Sequence, residues 1–276
     1  MNGIILIDKE KGLTSRDIVN KVVKILGTKK IGHTGTLDPI ATGLMVLCVN
    51  EGCKLVELLT GCDKEYIAKV RLGIKTDTYD ITGKVIEKNE QYQINKEKLI
   101  DVLNSFIGEY YQEVPLYSAI KVNGKKLYEY AREGKHVKLP SHLVKIKNIN
   151  LLSLSNDTFS FSVTVSSGTY IRSLINDISS RLGVYMTMEE LRRTRVGKFN
   201  VDECSELSNI KIIPIDECLD IEKIELDDNL YKKVSNGVKI SNDYNNDIVM
   251  FMKDNNPVAI YKADNKEMRL YRKFNM

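Results

Sequence analysis

The sequence predicts an α+β fold that ends in a small all-β segment. Stretches with strand and helix periodicity do not alternate regularly over the 276 residues, which argues against a doubly wound parallel sheet. Residues 224–276 hold short β-rich pieces, such as "DIVMFMKD" and "NPVAIYKAD", separated by Asn and Asp turn residues. A chain of this length can bury a substantial core, in one large domain or in two unequal ones.

The first elements are a short buried strand at "GIILID" and a helix. Thr14 or Ser15 can cap this helix, and Asp17 in its first turn suits the positive end of the helix dipole. Gly27 is expected to end the helix. Its apolar residues recur at helical spacing: Ile18, Val19, Val22, Val23 and Leu26.

Further elements follow from the same periodicities. "LMVLCV" is typical of a buried strand, and "YIAKVRLG" alternates so that Tyr66, Ala68, Val70 and Leu72 share one face. "FSFSVTVSSG" also alternates, and "TDTYDITG" has turn composition. Amphipathic helices are predicted at about 95–107 and 169–183, the second one ended by Gly183.

Composition narrows the class of protein. The chain is 42% hydrophobic and 28% charged, as in ordinary soluble proteins, and no apolar run reaches the roughly 20 residues needed to span a bilayer. The amino-terminal run "MNGIILIDKEKG" lacks a signal-peptide pattern, so a cytoplasmic location is expected. Five cysteines without a CxxC pair, and only three histidines, predict neither a zinc site nor a disulfide framework.

Charge is distributed unevenly, although the net charge is only +4. Residues 119–147 carry eight Lys or Arg against two Glu, with Tyr128, Tyr130 and His136 interleaved, whereas residues 209–228 hold seven acids and two lysines. Charge runs are usually solvated surface, but a basic excess with aromatic residues is also typical of RNA contact. The run "LRRTRVGK" (191–198) is a second candidate for phosphate contact.

The run "GHTGTLDPIATG" (32–43) contains a single acid, Asp38, directly before Pro39. Proline disfavours the α region for the preceding residue and so favours an extended backbone at Asp38. Asp-Pro in a loop is most often a turn, and the alternative is a carboxylate presented for chemistry. A phosphate cradle is weakly indicated, since no P-loop Lys-Ser/Thr follows the glycines. His33 lacks a serine partner for a triad, so it is expected to hydrogen-bond or stack.

Two further side chains have both a structural and a functional interpretation. Tyr66 is either a half-buried strand residue or a platform on which a base stacks. Arg172, near the start of the 169–183 helix, is either a solvated charge or the group that orients Asp38 and keeps it ionised.

These motifs, in this order, resemble the bacterial tRNA pseudouridine-55 synthase family. The resemblance covers almost all of residues 1–200, and a looser similarity to a PUA-type RNA-binding domain covers the carboxyl end. The motifs that carry it are "DKEKGLTS", "GHTGTLDPIATG", "KEYIAKVRLGIKTDTYDITG", "YSAIKVNGKKLYEYAREG", "SSGTYIRSLINDI" and "ELRRTRVG".

The resemblance implies roles for named residues. Asp38 is then the catalytic carboxylate, with Tyr66 and Arg172 completing the catalytic set. The implied substrate contacts are His33, Tyr66, Tyr170, Leu191 and Lys9. For the RNA backbone, the basic runs and the resemblance together suggest Lys125, Lys126, Arg132, Lys135, Arg192 and Arg193.

The resemblance also implies a fold, a reaction and a partner. The expected fold is a pseudouridine synthase core (1–222), with a mostly antiparallel sheet flanked by helices and a basic insertion at about 119–147. A small β-barrel-like RNA-binding domain (223–276) would follow it. The expected reaction is isomerisation of a T-loop uridine in tRNA without a metal or other cofactor, by a monomer with no obligate protein partner.

The chemistry leaves the role of the carboxylate open. It could attack C1′ to form a glycosyl ester, remove the 2′ proton to give a glycal, or add to C6 of the base. Because a uridine in a folded T loop is not accessible in place, base flipping is expected. The main alternative function is a non-catalytic tRNA-binding protein or tRNA-folding chaperone. A guide-RNA-dependent pseudouridine synthase and a small-molecule hydrolase are less well supported.

Overall fold

The computed structural model describes residues 1–89 and 91–275, and it confirms the predicted α+β class. Within these residues the strands form one large sheet, one five-stranded sheet and two short hairpins. No helix in the described part of the chain is long and apolar enough to cross a membrane.

The described residues form nineteen strands and six α-helices. In chain order the strands are β1 (Gly3–Lys9), β2 (Ile31–His33), β3 (Thr42–Val49), β4 (Lys64–Leu72), β5 (Ile74–Thr76), β6 (Val85–Lys88), β7 (Gly108–Glu113), β8 (Lys121–Val122), β9 (Lys125–Lys126), β10 (Ser141–Leu154), β11 (Thr158–Val165), β12 (Met186–Val196), β13 (Phe199–Asn200), β14 (Ile213–Pro214), β15 (Glu222–Glu225), β16 (Ile240–Ser241), β17 (Ile248–Lys253), β18 (Asn256–Asp264) and β19 (Glu267–Lys273). The helices are α1 (Ser15–Leu26), α2 (Val56–Thr60), α3 (Lys96–Asn104), α4 (Leu127–Arg132), α5 (Ile171–Leu182) and α6 (Asp228–Ser235).

The large sheet is mostly antiparallel, as predicted. Its main path runs β14-β1-β3-β12-β4-β11-β10-β7, with β2 added to β3 and β13 added to β12. The β12–β3 pair is parallel, with Arg192 opposite Thr42 and Arg193 opposite Gly43. This short parallel contact brings the end of the "GHTGTLDPIATG" run beside the "LRRTRVG" run.

Helix α1 begins and ends where the sequence predicts. Thr14 is the N-cap, and its side chain and that of Asp17 form a capping box with each other's backbone N–H groups. Gly27 closes the helix in the left-handed conformation (φ 65°), which glycine adopts at little cost. Gly183 ends α5 in the same way (φ 71°).

The alternation along β4 is confirmed: Tyr66, Ala68, Val70 and Leu72 are buried on one face. Helices α1, α3 and α5 contribute to the hydrophobic core on that same face of the sheet. At β1 and β3, a second core covers the opposite face. A cleft lies beside Tyr66, where the loop before β3 meets the start of α5.

The second sheet, ordered β15-β17-β18-β19-β16, curls as a half-barrel. Asp254 and Asn255 both have positive φ, as a two-residue type I′ turn between β17 and β18 requires. Met250 and Ile260 from this sheet share a hydrophobic cluster with Ile4 of the large sheet. The division of the chain at residue 222 stays a prediction, because the two sheets are joined by this cluster.

Periodicity missed several elements. The fourteen-residue strand β10 includes the end of the basic 119–147 segment, and all of the "LRRTRVG" run except Gly197 lies within β12. Lysines alternate with buried residues along β10 and Arg193 of β12 is itself buried, so strand pairing outweighed the polar composition of both runs. Helix α6 was also missed, and the helix predicted at 95–107 is shorter, at Lys96–Asn104.

Candidate active site

The loop that carries Asp38 is fixed from several sides. The Ser15 hydroxyl accepts a hydrogen bond from Leu37 N (2.9 Å) and donates one to Leu37 O (3.1 Å). The Lys9 ammonium donates to the carbonyl oxygens of Leu13 (2.7 Å) and Pro39 (3.4 Å). These contacts place Asp38 between a buried hydroxyl and a buried ammonium, so the carboxylate is held on an ordered loop.

Gly43 allows the loop to approach β12 closely. Its φ is 104°, and a Cβ at this position would lie 2.2 Å from the carbonyl oxygen of Arg193. The Arg193 guanidinium in turn donates to Leu44 O (2.7 Å) and Gly35 O (3.2 Å). Arg193 and Gly43 together hold both ends of the "GHTGTLDPIATG" run against β12.

Asp38 and Arg172 form a two-pronged ion pair. Arg172 Nε lies 2.9 Å from Asp38 Oδ2, and Nη2 donates to Oδ1 at 3.2 Å. The arginine side chain is 6% exposed and the aspartate side chain 33% exposed. The planar guanidinium therefore fixes the orientation of a carboxylate that still faces open space.

Arg172 is held in place by main-chain oxygens as well. It lies in the first turn of α5, where a cation is disfavoured by the helix dipole. Nη1 donates to Thr78 O (3.1 Å) and Nη2 to Tyr117 O (3.0 Å), and Asp80 lies 4.0 Å from Nη1. These oxygens offset the unfavourable position and leave the Nε edge directed at Asp38.

The ion pair lies on the wall of a cavity of about 420 Å³, which suits a small molecule or one nucleoside. Among the predicted residues, it brings together Asp38, Tyr66, Tyr170, Arg172, Leu191 and Arg193. Tyr66 and Leu191 come from the adjacent strands β4 and β12, and they are only 8% and 7% exposed. Burial raises the pKa of the Tyr170 phenol, which favours its neutral form.

His33 lies on β2 and is not part of the cavity wall. Burial, reinforced by the nearby Arg193 charge, lowers the pKa of its imidazole. In the described structure its buried Nδ1 has no hydrogen-bond partner. A neutral imidazole with an unused polar atom is suited to a contact that forms only when a ligand binds.

Two predicted RNA or substrate contacts need correction. Lys9 is fully buried and bound to carbonyl oxygens, so it supports the Asp38 loop and does not reach a substrate. Arg193 is 1% exposed, so it is not a surface phosphate contact. Lys9 lies in a run of mixed charge and Arg193 in a basic one, and sequence could not reveal that strand pairing buries them. Arg192 does reach the surface, where it is paired with Asp8 (2.6 Å).

The basic segment forms a hairpin, β8–β9, followed by α4. Lys125 lies over the ring of Tyr130, while Lys126 and Arg132 lie near the ring of Tyr128. Glu133 pairs with both Lys125 and Lys135. Tyr128 also lines the cavity, so this segment adjoins the site.

Sequence patterns did not predict a polar network that lies behind the site. Gln112, buried on β7, accepts a hydrogen bond from Tyr170 N (2.7 Å) and donates to the Tyr110 hydroxyl (2.6 Å). Tyr110 donates onward to Asp177 on α5 (3.3 Å). Since the Tyr170 side chain makes no capping hydrogen bond within the described residues, Gln112 satisfies the first N–H of the helix that carries Arg172.

Asp177→Asn should make the protein more stable at neutral pH. Burial raises the pKa of Asp177 from 3.8 to about 6, so the folded state retains a proton that the unfolded chain has lost between these values. The free energy of unfolding therefore falls as pH rises through this window and stays lower above it. The variant should gain on the order of 1 kcal/mol at pH 7 and nothing near pH 3.5, measured by urea unfolding.

Tyr110→Phe provides the companion test of that pH dependence. Because the Tyr110 hydroxyl lowers the pKa of Asp177, its removal should steepen the loss of stability between pH 4 and pH 7. An Asp177→Asn variant with the wild-type pH profile would contradict the assignment.

Comparison with known proteins first gives the class. Residues 23–171 match the family model described as "TruB family pseudouridylate synthase (N terminal domain)". Residues 172–230 match "tRNA pseudouridylate synthase B C-terminal domain". These matches, with the fold, define a pseudouridylate synthase, an isomerase.

Relatives and solved structures then give the family. Proteins named tRNA pseudouridine synthase B from Clostridium tetani (42% identical, covering 87% of this chain and 86% of the relative) and Bacillus subtilis (42%, 86% and 82%) are similar over most of their length. A chain in the "Crystal Structure of a Cbf5-Nop10-Gar1 Complex" is 26% identical with a TM-score of 0.71, covering 99% of this chain and 84% of that chain. The chain belongs to the TruB family of pseudouridylate synthases.

Proposed function

We propose that this protein converts the T-loop uridine at position 55 of tRNA to pseudouridine, with Asp38 as the catalytic carboxylate. The observation that carries the proposal is the Asp38–Arg172 pair on the wall of a nucleoside-sized cavity. Support for the tRNA substrate comes from relatives named tRNA pseudouridine synthase B.

The reaction is balanced without an external reactant. The N1–C1′ bond of uridine breaks, the base turns, and a C5–C1′ bond forms. The proton on C5 leaves and N1 gains a proton, so nothing is oxidised or reduced. Asp38 would act as nucleophile at C1′, as base at the 2′ position or as nucleophile at C6, and its fixed, partly exposed carboxylate is compatible with each role.

Binding would require the uridine to leave its stack. Extrusion of a base costs a few kcal/mol, and stacking between side chains offsets part of that cost. Tyr66 and Leu191 from neighbouring strands would hold the flipped base, with Tyr170 beside it. His33, whose Nδ1 has no partner among residues 1–89 and 91–275, would contact the loop that the base has left.

The alternative is a tRNA-binding protein or folding chaperone without catalysis. A carboxylate facing the cavity would repel phosphates, so a pure binder gains nothing from Asp38. The ion pair therefore favours an enzyme. A monomeric state and a cytoplasmic location stay predictions.

The direct test is incubation of purified protein with a synthetic tRNA T-arm stem-loop, without additives. The proposal expects one uridine per RNA to become pseudouridine, at unchanged RNA mass, located by sequencing after carbodiimide labelling. An RNA with cytidine at that position is the matched control. RNA that is bound but never isomerised would support the chaperone alternative instead.

Joint replacement of Lys125, Lys126 and Lys135 by glutamine should weaken RNA binding. Each lysine that neutralises a phosphate contributes about 0.7–0.9 to the slope of log Kobs against log salt, so the slope should fall by roughly 2. Filter binding of the stem-loop at several salt concentrations measures it.

Glu133→Gln is the matched control, and it should change RNA affinity in the opposite direction. Glu133 pairs with Lys125 and Lys135, so its neutralisation frees both ammonium groups and should strengthen binding. A triple variant with the wild-type salt slope would mean that this segment does not meet phosphate.

A further inference from the structure

We propose that the cavity contains a built anion subsite at Lys64, which receives a backbone phosphodiester next to the reacting uridine. This inference rests on the proposed function and adds a contact that neither the motifs nor the comparisons assign.

The cavity wall carries three cations and one anion. Arg172 is paired with Asp38, whereas Lys64 and Arg193 line the same cavity without a carboxylate. In the described residues neither of these two side chains takes part in an ion pair, although they are only 6% and 1% exposed. Buried charges are normally paired, so two unpaired cations on one wall indicate a missing anion.

The position of Lys64 on β4 suits a contact with a phosphate next to the bound base. It is the first residue of β4, on the same face as Tyr66 and two residues before it, about 7 Å along an extended strand. Its ammonium donates to Thr60 O (2.5 Å) and Cys62 O (2.7 Å), which leaves its third N–H. A base held at Tyr66 would therefore place a flanking phosphate near this amine.

The two cations also disfavour each other. Burial is the main cause that lowers the pKa of Lys64 to about 8; the Arg193 charge acts in the same direction and the Asp63 charge in the opposite one. The two carboxylates adjacent in sequence, Asp63 and Glu65, are paired with Lys147 (2.5 Å) and Arg195 (3.4 Å). A phosphate in the cavity would relieve both the burial cost and the repulsion, with Arg193 supplying charge from beneath.

The simpler role of Lys64 is to cap α2, since Thr60 is the last residue of that helix. This role alone does not explain why Lys64 lines the cavity without a carboxylate partner, and it predicts different results. A cap contributes to stability but not to the salt dependence of RNA binding.

The test compares Lys64→Met with wild type in stem-loop binding. We expect affinity to fall about three- to tenfold at 0.1 M salt and the slope of log Kobs against log salt to fall by about 0.7–0.9. Lys64→Arg should keep the slope. Lys9→Met is the matched control, because Lys9 is also a buried lysine with carbonyl partners but lies outside the cavity wall. It should lose stability and keep the slope.

A second measurement needs no destabilising variant. If phosphate binds Lys64, the protein should take up a fraction of a proton at pH 8 on binding RNA. Calorimetry in two buffers of different ionisation enthalpy measures this uptake. Lys64→Arg should take up less, because arginine stays charged. The neighbouring Cys62 thiol has a pKa raised by burial and is not the source of this proton exchange.

An unchanged salt slope in Lys64→Met, or equal proton uptake by wild type and Lys64→Arg, would overturn the subsite. These measurements do not depend on conversion of uridine. If RNA is bound at Lys64 but never isomerised, the proposed function fails and the anion subsite stands. If pseudouridine forms while Lys64 has no effect, only the subsite fails.

Discussion

Replacing Asp38 by asparagine should abolish pseudouridine formation while the protein still binds its RNA. Asparagine preserves the size of the side chain but removes the negative charge, so it can neither attack carbon nor accept a proton efficiently. We expect the single-turnover rate to fall on the order of 10⁴-fold or more, with the dissociation constant changed less than about tenfold. Tritium release from C5-labelled uridine measures the rate.

Asp80→Asn is the control for that result. Asp80 also lies near Arg172, at 4.0 Å, but it does not line the cavity and accepts hydrogen bonds from Thr78 and Thr82 that asparagine can keep. Its rate should fall less than about tenfold, or ~1.4 kcal/mol. Measurable turnover by the Asp38→Asn protein, at a rate near that of Asp80→Asn, would remove Asp38 from the chemistry.

The second large effect is expected at Arg172. Arg172→Ala removes both contacts to Asp38 and leaves Thr78 O and Tyr117 O without their donor. The carboxylate would then lose its fixed orientation and its compensating charge. We expect the single-turnover rate at saturating RNA to fall roughly 10²–10³-fold, while affinity changes much less.

Arg172→Lys separates charge from geometry. Lysine supplies a positive charge but cannot donate two parallel hydrogen bonds, so its rate should lie between wild type and Arg172→Ala. Arg181→Lys in the last turn of α5 is the matched control, and it should leave the rate near wild type. A wild-type rate in Arg172→Ala would refute the orienting role, provided that thermal unfolding shows a folded variant.

Local sequence was sufficient for most of the elements that hold the site. Thr14 and Gly27 bound α1, Gly183 ends α5, and the alternation around Tyr66 fixes the buried face of β4. These features depend on residues two to four positions apart, and such neighbours interact in any helix or strand that forms. The order of the motifs indicated the family, and the resemblance implied its catalytic residues.

Long-range burial could not be predicted in the same way. Lys9, Lys64 and Arg193 are ordinary members of polar runs, and each becomes buried only because particular strands pair. Gln112 gave no signal either, since its two partners come from its own strand and from the start of α5. Hydrophobic periodicity predicts which residues face a core, but it does not predict which cations a neighbouring strand will cover.

By itself, the sequence determined the α+β class, the limits of several elements, the Asp38 loop and the resemblance that names its residues. The tertiary structure decided that Asp38 meets Arg172, 134 positions away, and that two cations without a carboxylate share their cavity. The physical reason is that chain periodicity encodes contacts between near neighbours. The charge and shape of a cavity depend on which distant segments the sheet brings together.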